Sequence, residues 1–330
     1  MISGALDELG QDDAPDTGDD SEVRAWRVDA SQHAQRLDKV LAGAIGEFSR
    51  NYLKQLIEQG AVERNGQAVV KVSTRLKAGD AMRVSLRPTP QSLAFKPEVM
   101  AMEVVHADAD LLVLVKPAGL VVHPAPGNWS GTLLNGLLAW DPRQGELPRA
   151  GIVHRLDKDT SGLMLVARSR ASMDALVRMI AQRDVQRQYL ALAHGRWVGR
   201  APRDVHTAIG RDPRNRLRMA VLETHQSGAK DARTTFELLD GNDAHCLVRC
   251  SLHTGRTHQI RVHMASIGHP LVGDQTYGGH AGPVIGRQAL HAFRLALVHP
   301  INGRALEFLA PLPADMQHAL AHVGLRYNPA

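Results

Sequence analysis

Residues 151–162 read GIVHRLDKDTSG. The apolar pair Ile152-Val153 leads in, and four charged side chains follow, Arg155, Asp157, Lys158 and Asp159. The small residues Thr160-Ser161-Gly162 then turn the chain into a second apolar run at 163–167. A charged knot between two runs that read as buried strands is expensive, because unpaired buried charge costs several kcal/mol. Composition alone leaves two readings open: a solvated turn rich in salt bridges, or a charged group put to use.

Outward from the knot, short apolar strands alternate with Gly and Pro turns. They fall at 111–115, 119–122, 152–153, 163–167, 189–193, 234–239, 245–252 and 259–263. Helices fit 132–140 and 172–183, where Leu176, Met179 and Ile180 share a face. Hairpin turns such as Asp240-Gly241-Asn242-Asp243 predict an α+β fold around a mixed, mostly antiparallel sheet rather than a doubly wound one. There is no repeat of solenoid period, no Gly-rich nucleotide loop and no Walker motif.

The 330 residues are enough for two domains. No apolar run approaches the roughly 18 residues that span a bilayer, and the acidic start does not suit a signal peptide. The expected setting is the cytoplasm, without a membrane. Cys246 and Cys250 are four apart in the strand-like HCLVRCSL, a spacing for core packing and not for a zinc loop. The net charge of +5 hides an asymmetry: residues 1–22 hold eight acids and no Lys or Arg, which leaves +13 on the rest. The reading is a disordered acidic tail at 1–22 ahead of a basic body suited to a polyanion.

Residues 23–90 form the first domain. Residues 36–41 open a short amphipathic helix, and Ser49 caps a second at 50–59, with Gly60 as its C′ residue. A hairpin follows through the Asn65-Gly66 turn, then the Lys77-Ala78-Gly79-Asp80 turn and a strand at 81–86, before the linker 87–90. The helices present Arg36, Lys39, Arg50 and Lys54, which read either as phosphate contacts or as a solvated face. The pattern RLDKVLA, SRNYLKQLIEQGAVERNGQ, LKAGDAMRV resembles the small RNA-binding domain named for ribosomal small-subunit protein four. That resemblance implies RNA contact for the four cations.

Residues 91–330 form the second domain, with three polar clusters. They are the knot, the strand Arg187-Gln188-Tyr189-Leu190, and the donor-rich run HTGRTHQIRVH at 253–263. Two arginines and three histidines in that run suit an anion or a carboxylate. His258 and His263 lack the companions of a zinc site, and read as a strand they would face opposite ways. Ser161 lacks the elbow glycines of a hydrolase. Asp157 and Asp159 are too close along the chain for a two-carboxylate glycosidase. What remains is a single carboxylate, Asp157, kept ionised by an arginine and able to act as nucleophile or base at a sugar carbon.

At these residues the chain resembles the bacterial large-subunit rRNA pseudouridine synthases. The shared segments are LVLVKPAGLVVHP, GIVHRLDKDTSGLMLVARS, RQYLAL, TGRTHQIRVHMASIGHPLVGD and RQALHAFRLALVHP. The form is most like the D-type branch, with the C-type as the close alternative. The resemblance implies isomerisation of uridine to pseudouridine in 23S ribosomal RNA or a precursor of the large subunit, in the helix 69 stem-loop, by a monomer needing no cofactor or metal. It implies that Asp157 is the nucleophile or base and that Tyr189 stacks on the target base. It further implies that Arg256 pairs with the carboxylate and that Arg155 displaces the flipped nucleotide. Arg261 is assigned to RNA contact.

Overall fold

The computed structural model describes residues 22–45, 50–86, 94–125, 127–199, 201–215, 217–280 and 284–328. Most of the acidic tail, the Ser49 cap and the 87–90 linker lie outside the described residues. The chain divides into two compact units, 1–93 and 94–330.

The first unit contains β1 (Glu22–Arg27), α1 (Leu37–Ala44), α2 (Arg50–Glu58), β2 (Val62–Arg64), β3 (Gln67–Ala68) and β4 (Ala81–Leu86). Its antiparallel sheet runs β1-β4-β2-β3. Asn65 and Gly66 take φ of 53° and 79°, the left-handed pair that a two-residue hairpin needs. Leu37, Leu41, Leu53, Leu56 and Ile57 from the helices pack on Val62, Met82 and Val84 from the sheet. The second strand of the expected hairpin is short and stops at Ala68. The chain leaves the sheet to bring Thr74 and Leu76 back to the entrance of α1, where Leu37 N–H donates to the Thr74 carbonyl at 2.7 Å.

The second unit contains, in order, β5 (Glu103–Ala107), β6 (Leu111–Lys116), α3 (Leu133–Trp140), β7 (Ser161–Ala167), α4 (Arg170–Gln182), β8 (Gln186–His194) and β9 (Arg203–Arg211). It continues with β10 (Met219–Leu222), β11 (Lys230–Gly241), β12 (His245–Leu252), α5 (Gln259–Ser266), β13 (Leu290–Val298), β14 (Ala305–Leu309) and α6 (Ala314–His322). Ten strands form one sheet in the order β10-β9-β11-β12-β8-β13-β7-β6-β5, with β14 paired to β13. Every pairing is antiparallel except β7 with β13, so the fold is the mixed, mostly antiparallel α+β one.

Both faces of the central strands are covered, which is why β6 and β7 read as continuous apolar runs. Leu112, Leu114, Met164 and Val166 face one core, with α3 and α5. Leu111, Val113, Leu163 and Leu165 face another, with α4. Helix ends are fixed locally: Thr132 and Ser169 cap α3 and α4 in reciprocal boxes with Asn135 and Ser172.

Three expected strands are not strands. Residues 119–122 turn, because the Val121 and Val122 carbonyls accept from Leu133 and Leu134 N–H at the start of α3. Residues 152–153 contribute only the bridge of Ile152 to Val166. Residues 259–263 are the first part of α5. Ile260, Val262 and Met264 alternate like a half-buried strand, but this helix is buried on every side from Gln259 to Met264, so no amphipathic period marks it.

Candidate active site

The charged knot is held by its backbone. Asp157 carbonyl accepts from Thr160 N–H at 3.1 Å, and Lys158 carbonyl accepts from Gly119 N–H at 2.9 Å. The fully buried Lys116 ammonium donates to the carbonyls of Pro117, Leu120 and Lys158 at 2.8–2.9 Å. Burial pulls its pKa down to about 8, against the pull of Asp159 and Asp157. From the other side Arg287 donates to the Asp159 carbonyl at 3.0 Å, and Gln288 to Thr160 Oγ1 at 3.2 Å. Gly162, at φ 117°, ends the knot where β7 meets β13, and a Cβ there would collide with the Ala292 backbone.

These clamps set Asp157 in a cleft of about 340 Å³. Its Oδ2 accepts from Arg261 Nη1 at 3.1 Å. Arg261 is 6% exposed and is gripped from behind by Asp274, 1% exposed, through Nε at 2.7 Å and Nη2 at 2.9 Å. Burial works against the guanidinium's charge, but Asp274 and Asp157 outweigh it and hold its pKa above the usual value. The Tyr277 ring lies 5.0 Å from the guanidinium carbon. His258 Nδ1 meets Tyr277 OH at 2.8 Å, and its Nε2 stands 3.8 Å from Asp157 Oδ2.

This geometry corrects one assignment and places another. Arg256 does not pair with Asp157; its Nε donates to the Asp231 carbonyl at 2.9 Å from an exposed position on the cleft wall. It stands in the turn before α5, where its own N–H is held by Gln259 Oε1 at 3.0 Å. Arg261, assigned to RNA contact, lines the cleft with its guanidinium turned inward by α5 between two carboxylates. Reading 259–263 as a strand concealed this.

The cleft nevertheless brings the expected residues together. Arg155, Asp157, Tyr189, Arg256 and Arg261 all line it. Arg155 is exposed. Tyr189 is 5% exposed, and burial pushes its pKa up to about 12, so it remains a phenol at neutral pH. His258 belongs to the donor-rich run expected to suit a carboxylate, whereas Asp274, Tyr277 and Lys116 were not anticipated. Besides their place in the shared segments, the signal for Asp274 and Lys116 was a lone acid or base ending an apolar run, as in LVGD and LLVLVK.

Other candidates settle into structural roles. Ser161 Oγ meets His291 Nδ1 at 2.9 Å, both buried at the β7–β13 seam and outside the cleft. His263 has both ring nitrogens engaged, by Thr234 and Thr207 hydroxyls at 2.9 and 3.0 Å. Cys246 and Cys250 are free, buried thiols whose pKa values burial raises. Asp108, Asp110 and His299 bring three donors close enough for a cation. However, His299 Nδ1 accepts from Ile301 and Asn302 N–H at 3.1 Å. Its Nε2 therefore carries the proton and donates to Asp108 at 3.2 Å, which leaves no lone pair for a metal.

In the first unit Arg36, Lys39, Arg50 and Lys54 are all exposed. Arg36 forms a bidentate pair with Asp38 at 3.0 Å, and Lys54 lies 3.6 Å from Glu58. No helix among the described residues is long and apolar enough to cross a membrane.

Residues 110–266 match the family model of RNA pseudouridylate synthase, and residues 35–81 match the S4 domain. The chain is 47% identical over 297 residues to ribosomal large subunit pseudouridine synthase D of Neisseria meningitidis serogroup A, covering 87% of this chain and 78% of that one. It is 42% identical over 315 residues to the protein of the same name from Xanthomonas campestris pv. campestris, covering 92% and 93%. Among solved structures, human RNA pseudouridylate synthase domain containing 1 aligns with a TM-score of 0.52 at 27% identity, over 71% of this chain and 98% of that one. With its N-terminal S4 domain and an aspartate set in a cleft of the second unit, this chain belongs to the RNA pseudouridylate synthase family of isomerases.

Proposed function

We propose that this enzyme converts uridine to pseudouridine in 23S ribosomal RNA or a large-subunit precursor, in the helix 69 stem-loop, acting as a cytoplasmic monomer. The observation that carries the reading is Asp157, a cleft carboxylate with one oxygen held by a buried arginine that Asp274 fixes in turn. The names of the relatives supply the RNA.

The target uridine leaves its stack at a cost of a few kcal/mol. Arg155, exposed at the cleft, fills the gap, and the base stacks on Tyr189. Asp157 then attacks the anomeric carbon of the ribose, or takes the proton beside it. The bond from that carbon to N1 breaks, and uracil leaves with the electron pair. After the ring turns, carbon 5 bonds to the sugar carbon as that carbon's bond to Asp157 breaks, or as Asp157 gives back the proton it took; the carbon 5 proton then passes to solvent and N1 takes one up. Arg261 keeps one Asp157 oxygen oriented throughout. Outside the cleft, Arg36, Lys39, Arg50 and Lys54 add sequence-independent grip on phosphates.

The test is release of tritium from rRNA labelled at uridine carbon 5. Asp157→Asn should abolish release while RNA affinity stays within a few fold; continued turnover by that variant would overturn the assignment. Mapping pseudouridines with and without the enzyme tests helix 69.

A further inference from the structure

We propose that Arg187 is a phosphate anchor inside the cleft, taking a backbone phosphate at the target nucleotide; this rests on the reading of the cleft as a uridine site in RNA. Arg187 lies on β8 two residues before Tyr189, on the same side of the strand, and lines the same cleft as Asp157. It is 7% exposed, and its Nε is sealed from solvent without a hydrogen-bond partner. No carboxylate pairs with it among the described residues, whereas the buried Arg261 and the half-buried Arg287 are held by Asp274 and Asp315.

An uncompensated guanidinium in a mostly buried position costs several kcal/mol, so its retention calls for an anion that arrives with the ligand. Its surroundings supply none. His154 Nε2 accepts from Leu165 N–H at 2.9 Å, so that imidazole offers Arg187 no negative charge. Burial, followed by the charge of Arg187, holds the His154 pKa down to about 3. Tyr189 stays neutral as described. Asp157 already faces Arg261. Just past the end of the neighbouring strand β12, Gly255 leaves the room that the guanidinium uses: a Cβ there would come 3.0 Å from Arg187 Nη1.

A neutral uracil carbonyl would not balance this charge, whereas a phosphodiester carries a full negative charge and two oxygens that match the guanidinium fork. The remaining cleft cations do other work. Arg155 sits exposed at the knot, Arg183 is exposed and lies 4.0 Å from the Asp231 carboxylate, Arg256 is tied to the Asp231 carbonyl, and Arg261 is spent on two carboxylates. Arg187 is the buried cation of this wall left for the RNA backbone.

The experiment uses the full chain and a 23S rRNA transcript labelled at uridine carbon 5. Affinity is measured against salt for wild type, Arg187→Gln and Arg187→Lys. Loss of one phosphate contact lowers the slope of log affinity against log salt by about 0.7–0.9, so Arg187→Gln should show that drop and bind roughly 5–20-fold more weakly at low salt. Arg187→Lys, which keeps the charge, should recover the slope. The melting temperature without RNA should hold or rise in Arg187→Gln, because an unpaired buried charge is removed. An unchanged slope overturns the anchor, even if turnover falls, since the cation then serves the base. A lowered melting temperature or failure to fold in Arg187→Gln also overturns it, since the group is then structural. If wild type binds RNA with these slopes yet releases no tritium, the isomerase reading fails while the phosphate contact stands.

Discussion

Replacing Asp274 with alanine should separate the stability of this site from its chemistry. Arg261 is buried between Asp274, with two hydrogen bonds of 2.7 and 2.9 Å, and Asp157, with one of 3.1 Å. Removing the two-bond partner breaks a buried pair, which costs about 3–5 kcal/mol. For a unit the size of residues 94–330, each kcal/mol lowers the melting temperature by about 2–4 °C. The expected fall is therefore about 6–20 °C. Asp157→Asn is the control: Asp274 still holds Arg261 and the amide oxygen can still accept, so its stability cost should be about 1 kcal/mol. Turnover should fall in both, through a misplaced Arg261 in Asp274→Ala and through loss of the reacting carboxylate in Asp157→Asn. Thermal unfolding of the full chain and tritium release at a temperature where both variants remain folded give the two readings. An Asp274→Ala protein that melts with wild type, or turns over at the wild-type rate, would refute the idea that Asp274 fixes Arg261.

Arg256→Ala should raise KM for RNA several-fold and leave kcat within about threefold, since this side chain bonds a carbonyl and not Asp157; a collapse of kcat would restore Arg256 to the carboxylate. Stability measured by urea unfolding should change little between about pH 7 and 8 and fall as the pH drops from 6.5 towards 4. His263 and His291 are both held neutral by burial, with pKa values down to about 4, so below 6.5 the unfolded chain binds protons that the folded one refuses. Each can contribute a slope of up to about 1.4 kcal/mol per pH unit in that window, and His263→Gln should flatten it by about one histidine. The Asp108 carboxylate, lowered to about 2 with help from backbone N–H and His106, adds a separate loss only below about pH 4. Gly162→Ala should cost about 3 kcal/mol, because it combines a left-handed φ with a collision against the Ala292 backbone; a melting temperature within 2 °C of wild type, by about 2–4 °C per kcal/mol, would argue against that close approach.

Where local chemistry decides structure, the sequence was readable. The strand at 81–86 is bounded by the Gly79-Asp80 turn and recurs without change as β4. The strand at 245–252, after the Asn242 turn, recurs as β12. Where tertiary burial decides, it was not. The helix α5 is wrapped on all sides, so its apolar residues follow the neighbours they meet and not a helical stripe. The resemblance gave the carboxylate's partner as Arg256, whereas α5 aims Arg261, close to it in the chain, at Asp157. The strands β13 and β14 went unread, interrupted by Arg294 and Glu307, as did β9 and β10. The cleft's membership was legible from its polar clusters. The ion triad was not, because it joins residues 104 and 13 apart through the fold.

The one parallel seam of the sheet has a consequence for biosynthesis. β7 gains its β13 neighbour only when His291 pairs with Ser161, 130 residues later, and Asp157 meets Arg261 only after 104 further residues are made. At about 5–20 residues per second, the nascent chain carries Asp157 for roughly 5–20 s before its arginine exists. During that time an emerging S4 segment can already be complete, since its residues precede the seam. A growing chain can thus touch RNA before it can modify it, and competence begins only when the last third of the protein has been translated.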